Sequence, residues 1–326
     1  MVVERKLLYL ARADVEAVAL PTSEVVAAVE LALREKAFGR AKMPPKHWLA
    51  PVRDRFFSAM TSVLPAVSAA ACKWQSGSPL NERYGLPFIT GLLILNDLET
   101  GSPIAVMDST WLTAQRTAAA TAVAARYLAR MHPQVLAVLG CGIQGRTNVE
   151  MLRLVCLGLT AIQAYDILPE ALQRYADEMT TRHGLQVRQC KNPREAIEGA
   201  DIVVTCGPIT ADPQRIAEAG WLKPGALVVT LDYDCYWRAE ALAAVDALYA
   251  DDRAQLEHLK QYGYFGAVRQ ITSELGEVVA GLKPGRSDDR HTIVSINMGI
   301  ALEDVATARR IYEQAIAQKR GIWLPW

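Results

Sequence analysis

The 326-residue chain lacks an excess of either charge, since lysine plus arginine and aspartate plus glutamate number 35 each. Without a basic surplus there is no electrostatic footprint for nucleic acid or an anionic membrane, so the expected partner is a small molecule. No run of about 18 apolar residues occurs, and no helical membrane span is expected. Met1-Val2-Val3-Glu4-Arg5-Lys6 precedes an apolar run of only Leu7 to Leu10, too short for a signal peptide. The six cysteines (Cys72, Cys141, Cys156, Cys190, Cys206 and Cys235) form no CxxC pair. Several sit in apolar runs, where a free thiol packs like a small hydrophobe, as suits a reducing cytosol and a cytoplasmic protein. The five histidines show no HxxxH or HExxH spacing, so no metal site is expected. A GxSxG elbow is missing, and the glycine-rich turn lacks the Lys-Ser/Thr ending of a phosphate loop, which removes hydrolase and nucleoside triphosphatase readings.

What the chain does have is Val135-Leu136-Ala137-Val138-Leu139-Gly140-Cys141-Gly142-Ile143-Gln144-Gly145. Five apolar, mostly branched residues read as a buried strand, and the glycines fall where the chain must turn sharply into a helix. Gly140 permits the tight turn, and Gly142 lets the backbone approach a pyrophosphate. Gly145 lets the helix pack on the sheet with its N-terminal amides facing the phosphates. A glycine-rich turn alone can bind nothing, so its context carries the reading. After an expected helix over 147–157, a second apolar run, 161–165, ends in Asp166, roughly 20 residues past the last glycine, where an acid accepts hydrogen bonds from ribose hydroxyls. Ile167 and Leu168 supply no cation for a 2′-phosphate, so the expected cofactor is NAD rather than NADP.

The chain before this stretch reads as α+β. A strand over 7–10, a helix over about 23–38 and short strands over 56–61, 69–75, 89–96 and 103–107, separated by Pro and Gly turns, predict an antiparallel-rich sheet. An alanine-rich helix over 109–129 leads into the strand at Val135, and a domain boundary is expected in or near it. From there strand and helix alternate, as a parallel sheet wound on both faces requires, with strands over 202–205, 226–231, 248–249 and, last, 292–296. An amphipathic helix over 300–318, striped with Leu302, Val305, Ala306 and Ile311, has the pattern to return to the first domain.

Three charged residues stand in unusual settings. Lys73 lies in an apolar run where a lone ammonium is costly unless an anion meets it. Arg116 interrupts the alanine-rich helix, and Asp234 follows a strand at the carboxyl edge where parallel sheets place ligands. The plain alternatives are a lysine snorkelling from an edge strand, an arginine on a solvated helix face and an aspartate in a turn.

Lys42-Met43-Pro44-Pro45-Lys46, Lys73-Trp74 with Asn81 and Gly85-Leu86-Pro87, and Asn96-Asp97 with Thr100-Gly101 and Pro103 resemble the ornithine cyclodeaminase/mu-crystallin family. So do Thr113-Ala114-Gln115-Arg116-Thr117-Ala118-Ala119, Gly140-Cys141-Gly142-Ile143-Gln144, Glu274-Leu275-Gly276-Glu277-Val278 and Gly299-Ile300-Ala301-Leu302-Glu303-Asp304. The resemblance implies a homodimer and an α/β fold class: a Rossmann doubly wound parallel sheet plus a discontinuous α+β substrate and dimerisation domain. Its expected bounds are 1–112 and 301–326 for the latter and 113–300 for the former. Carried over, Lys46, Lys73 and Arg116 would bind the substrate α-carboxylate, and Asp234 would handle protons at the reacting amine. Ile143, Gln144, Asp166, Thr205, Leu231 and Asp232 would touch NAD, joined by Arg116 and by the glycines Gly140 and Gly142. Asn297 and Met298 would lie between cofactor and substrate. Two departures weaken an assignment to ornithine: Lys46 stands where the cyclodeaminases have arginine, and Phe88 where they have threonine.

The chemistry so implied is coherent. An α-amino acid loses hydride from Cα only once its amine is neutral, so a carboxylate such as Asp234 must take the proton. The cations would pin the carboxylate and hold Cα in place, lowering the entropic part of the barrier. The expected function is an NAD-dependent amino-acid dehydrogenase or cyclodeaminase. The alternatives are an NAD(P)H-dependent ketimine reductase and, from another class, a crystallin-like dinucleotide-binding protein without turnover, against which the joint presence of Lys73, Arg116 and Asp234 speaks.

Overall fold

Strict alternation of burial along its strands gives the first sheet one covered face and one open face. The computed structural model describes residues 5–268 and 270–326. In the amino-terminal part these form β1 (Lys6–Leu10), α1 (Arg12–Ala17), α2 (Thr22–Ala37), β2 (His47–Val52), β3 (Arg55–Leu64), β4 (Ala69–Gly77), β5 (Ile89–Asp97) and β6 (Pro103–Asp108). Along β4 the inward positions are Ala69, Ala71, Lys73, Gln75 and Gly77, so strand parity alone sends Lys73 to the covered face. β2 escapes the pattern because it contains Pro51 and a register shift between Leu49 and Val52, which fit only a sheet edge. α3 (Thr110–Leu128) then carries the chain onward.

The next elements are β7 (Val135–Leu139), α4 (Ile143–Val155), β8 (Ala161–Tyr165), α5 (Pro169–His183), β9 (Gln186–Gln189), α6 (Pro193–Ile197) and β10 (Ile202–Thr205). They are followed by β11 (Leu227–Thr230), α7 (Ala239–Ala243), β12 (Ala247–Ala250), α8 (Arg253–Lys260), β13 (Ser273–Glu274), α9 (Leu275–Val279) and β14 (Ile293–Ile296). The strands form an eight-stranded sheet in the order β13-β12-β14-β11-β10-β7-β8-β9, with parallel pairing throughout. This is the doubly wound α/β sheet expected. The chain moves outward one way from β7 through β8 and β9 and then returns to β10 on the other side, which creates a switch point at the carboxyl ends of β7 and β10. α4 starts at Ile143, directly on the glycine turn and not at Thr147. The Thr147 hydroxyl, which looks like a cap, donates to the Ile143 and Gln144 carbonyls of the preceding turn instead.

α10 (Ala301–Ala317) and β15 (Ile322–Pro325) close the chain. α10 packs on β3, β4 and α2, and β15 pairs antiparallel with β1, giving a seven-stranded sheet in the order β15-β1-β6-β5-β4-β3-β2. β14 is therefore not the last strand. β15 has no burial alternation to betray it, because its side chains are all exposed and it is held by backbone pairing at the edge of the sheet. The stripe expected on α10 is also too narrow: every residue from Ala301 to Ala308 is buried. The chain divides into two compact units, one of Met1–Arg116 and Ile300–Trp326 and a second of Thr117–Gly299. No described helix is long and apolar enough to cross a membrane.

Candidate active site

Register in the parallel sheet sets Tyr165, Leu139, Thr205, Thr230 and Ile296 level with one another on successive strands. The residues just beyond, Asp166, Gly140, Leu231 and Asn297, emerge at the same carboxyl edge, where open parallel sheets take their ligands. Gly140 has φ +110°, and a Cβ there would stand 2.7 Å from the Cys206 carbonyl oxygen. A Cβ on Gly145 would collide with the Gly140 carbonyl. Gly142 is different: apart from its own chain neighbours, no atom of the described residues packs within 4 Å of where its Cβ would be, and it caps α4 in extended conformation with no side-chain hydrogen bond. The first amides of α4 are thus left for an incoming acceptor.

Asp166 closes the turn. Its Oδ2 accepts the Cys141 N–H at 2.7 Å and its Oδ1 the Leu168 N–H at 2.9 Å. Arg146, which the sequence reading passed over, clasps the same loop: its Nη1 donates to the Cys141 and Gly142 carbonyls, and its Nε to Glu178 at 2.7 Å. Ile143 is exposed. Gln144 Oε1 and Asn297 Nδ2 are buried and have no partner among the described residues, while Asn297 Oδ1 accepts from the Ser295 hydroxyl at 2.8 Å. An uncapped helix, open space at Gly142 and unpaired amide atoms fit a dinucleotide, whose phosphates and carboxamide need such donors and acceptors.

Thr205 and Asp232 face each other. The Thr205 hydroxyl donates to Asp232 Oδ1 at 2.7 Å, and the Gly207 N–H to Oδ2 at 3.1 Å, so this carboxylate ties the ends of β10 and β11 together. Burial pushes the Asp232 carboxyl up to about 7 against those hydrogen bonds. Asp234 follows a left-handed turn at Tyr233 (φ +61°). Its Oδ2 accepts from Arg215 Nε at 3.0 Å and from the Phe265 N–H at 3.1 Å, and its buried Oδ1 has no partner among the described residues. Arg215 was not singled out by sequence, since an arginine in a loop between strands has no local mark. Leu231 donates its N–H to the Thr205 carbonyl at 2.9 Å, and Met298 lies in the buried cluster that contains Tyr233 and Phe265.

In the other unit the sheet and α10 gather charge. Lys73 is fully buried on a central strand, which removes the snorkelling alternative, and its ammonium donates to Asp304 Oδ1 at 2.7 Å and to the Thr113 hydroxyl at 3.2 Å. Arg116, only 4% exposed, is on no solvated face: its Nε donates to the same Asp304 oxygen at 3.0 Å and its Nη1 to Glu303 Oε2 at 3.1 Å. Lys46 is buried, and its charge acts on Lys73. Burial, with the help of Arg116 and Lys46, lowers the Lys73 pKa to about 7 although Asp304 opposes it, and burial raises that of Glu303. Glu303 and Asp304 had been read only as part of a family ending. The signal that could have found them is chemical: two buried cations demand buried anions.

The chain is 35% identical over 317 residues to the nodulation efficiency protein NfeD of Rhizobium meliloti, with 96% of each covered. The structure of Delta(1)-pyrroline-2-carboxylate reductase of Thermococcus litoralis, in complex with NADH and L-proline, is similar with a TM-score of 0.88 and 30% identity over 97% of this chain and 99% of that one. An archaeal alanine dehydrogenase dimer with bound NAD matches at a TM-score of 0.88 and 32% identity, covering 99% of this chain and 100% of the other. Residues 5–319, which include both the glycine turn and the buried cations, match the model of the ornithine cyclodeaminase/mu-crystallin family, and the chain belongs to that family.

Proposed function

We propose that the protein is an NAD-dependent oxidoreductase or deaminase acting at the C–N bond of an L-amino acid, as an amino-acid dehydrogenase or an ornithine cyclodeaminase-like enzyme. The observation that carries this reading is Lys73, a fully buried ammonium with Arg116 beside it on a shared carboxylate oxygen. Such a pair suits a bound carboxylate better than it suits a core, where charges are retained at a loss. The unit of Met1–Arg116 and Ile300–Trp326 would then hold the substrate through Lys46, Lys73 and Arg116. The Rossmann unit would hold NAD through the α4 amides, Gln144, Asp166 and Asn297. Bound NAD supplies the hydride acceptor. Asp234, with one oxygen held by Arg215 and the Phe265 amide, keeps Oδ1 for the proton of the substrate ammonium. Run in reverse, the same groups return that proton to an imine.

A homodimer in the cytoplasm completes the proposal. Trp74, Leu92, Ile94 and Leu49 lie exposed on the open face of the first sheet, with Phe57 stacked on Trp74 at 5.9 Å between ring centres. An apolar patch of that kind marks an interface, and the alanine dehydrogenase relative is a dimer.

Incubation with NAD and a panel of L-amino acids, then with NADH and cyclic imines, while nicotinamide absorbance is followed, is the direct test. Asp234→Asn should leave NADH binding in place and lower the best rate by ~10² to 10⁴. Asp232→Asn should retain more activity and lose stability instead, because Thr205 and Gly207 donate to different carboxylate oxygens and asparagine keeps only one of the two as an acceptor. Normal turnover in both variants sinks the assigned base.

A further inference from the structure

Two buried carboxylates stand in the first turn of α10, and the proposed reaction gives neither a part. A single oxygen, Asp304 Oδ1, accepts both Lys73 Nζ and Arg116 Nε, at 2.7 and 3.0 Å. Glu303 takes the guanidinium at Nη1, 3.1 Å away. Lys73 also donates to Thr113, one turn before Arg116 on α3. With Asp304 and Thr113 taking two of the three ammonium protons, one donor is left to give. Asp304 Oδ2 and Glu303 Oε1 are buried with no hydrogen-bond partner among the described residues. For stability alone this is a poor arrangement, since apolar side chains of the same volume would do as well or better.

We propose that Asp304 is the positioning residue of the carboxylate site: it sets the spacing of Lys73 and Arg116 by holding both on one oxygen, and it supplies the counter-charge that lets Lys73 stay an ammonium. Glu303 steadies the guanidinium from its other nitrogen. This rests on the reading of Lys73 and Arg116 as ligands of a substrate carboxylate.

The charges that act on Lys73 come from three sides. Burial disfavours its proton most, Asp304 on α10 retains it, and Arg116 on α3 and Lys46 ahead of β2 add repulsion; the balance lies at about 7. Only the ammonium form holds an anion. Affinity for a carboxylate is therefore retained below that value and declines as pH rises through it, and binding above it draws a proton from solution.

The experiment titrates L-proline and L-alanine into the full-length protein saturated with NADH, by calorimetry across a pH series in two buffers of different ionisation heat. The wild type should take up a proton on binding above neutrality. Asp304→Asn should bring the alkaline decline to lower pH by about one unit or more, the usual effect of removing an opposite charge at contact distance. Asp304→Glu should restore it at least in part, and NADH affinity should be the same in all three proteins. An Asp304→Asn protein that melts earlier but keeps the wild-type pH dependence overturns the proposal, and if that variant does not fold, absence of proton uptake by the wild type does so. A wild type that binds NADH but neither carboxylate at any pH fails at the earlier step, the amino-acid reading, and the positioning role goes with it.

Discussion

The turn at 140–145 and the cluster around Lys73 both offer positive potential to an anion, one with backbone and the other with whole side-chain charges. The turn uses N–H dipoles at the start of α4, needs no counter-ion, and lies within one local stretch of chain. The cluster buries Lys73 and Arg116 and must bring Asp304 and Glu303 to meet them, with Lys73 and Asp304 separated by 231 positions. Partial charges fixed by backbone geometry need no matching counter-charge, because the free first amides of a helix can be met by solvent or by a ligand. Full charges are tolerable inside only as a matched set, so the cluster fails as a unit when one member is lost.

The largest effect should come from Lys73→Met, which leaves Asp304 short of a partner. It is expected to lower stability by about 3 to 5 kcal/mol and to reduce kcat/KM by about 10² or more, while NADH affinity measured by nicotinamide fluorescence hardly changes. If NADH binding fell in step with activity, the two regions would not be separate in function. The glycines divide the turn itself. Gly145→Ala meets the Gly140 carbonyl and should destabilise the fold by about 1 to 3 kcal/mol. Gly142→Ala meets nothing within 4 Å, so its melting temperature should stay near that of the wild type while NADH affinity falls about tenfold, the outcome that separates a ligand's space from a packing constraint. A Gly142→Ala protein with unchanged NADH affinity would remove the pyrophosphate from that position. The smallest effect concerns the cofactor's ribose. With the Asp166 carboxylate fixed by two backbone amides and exposed Ile167 beside it, NADH should bind about tenfold more tightly than NADPH, and equal dissociation constants in a fluorescence titration would sink that preference.

Legibility followed the same division. The parallel sheet, the glycine turn and the acid at its second strand were readable because each depends on neighbours in sequence: branched apolar runs, a turn that admits only glycine, and a fixed spacing to Asp166. Edge strands were not. β2 lacks alternation because Pro51 and a register shift interrupt it, β15 because its side chains all face solvent, and β9 is nearly all polar for the latter reason. The stripe of Leu302, Val305, Ala306 and Ile311 does not show that Glu303 and Asp304 are buried too, because nothing in a helical pattern reveals that cations arrive from a strand and another helix.

The sequence by itself determined the doubly wound class and the position of the nucleotide turn, but it left Lys73 open between burial and snorkelling, since Ala70, Cys72 and Trp74 make the opposite face of β4 as apolar as its own. Only the tertiary structure decided that Lys73 and Arg116 share one oxygen of Asp304, that Asp232 spends its carboxylate on Thr205 and Gly207, and that Arg215 holds Asp234. The physical reason is range. Backbone turns and strand faces follow from dihedral preferences and periodicity over a few residues, whereas a buried charge is settled by whichever opposite charge the folded chain carries to it.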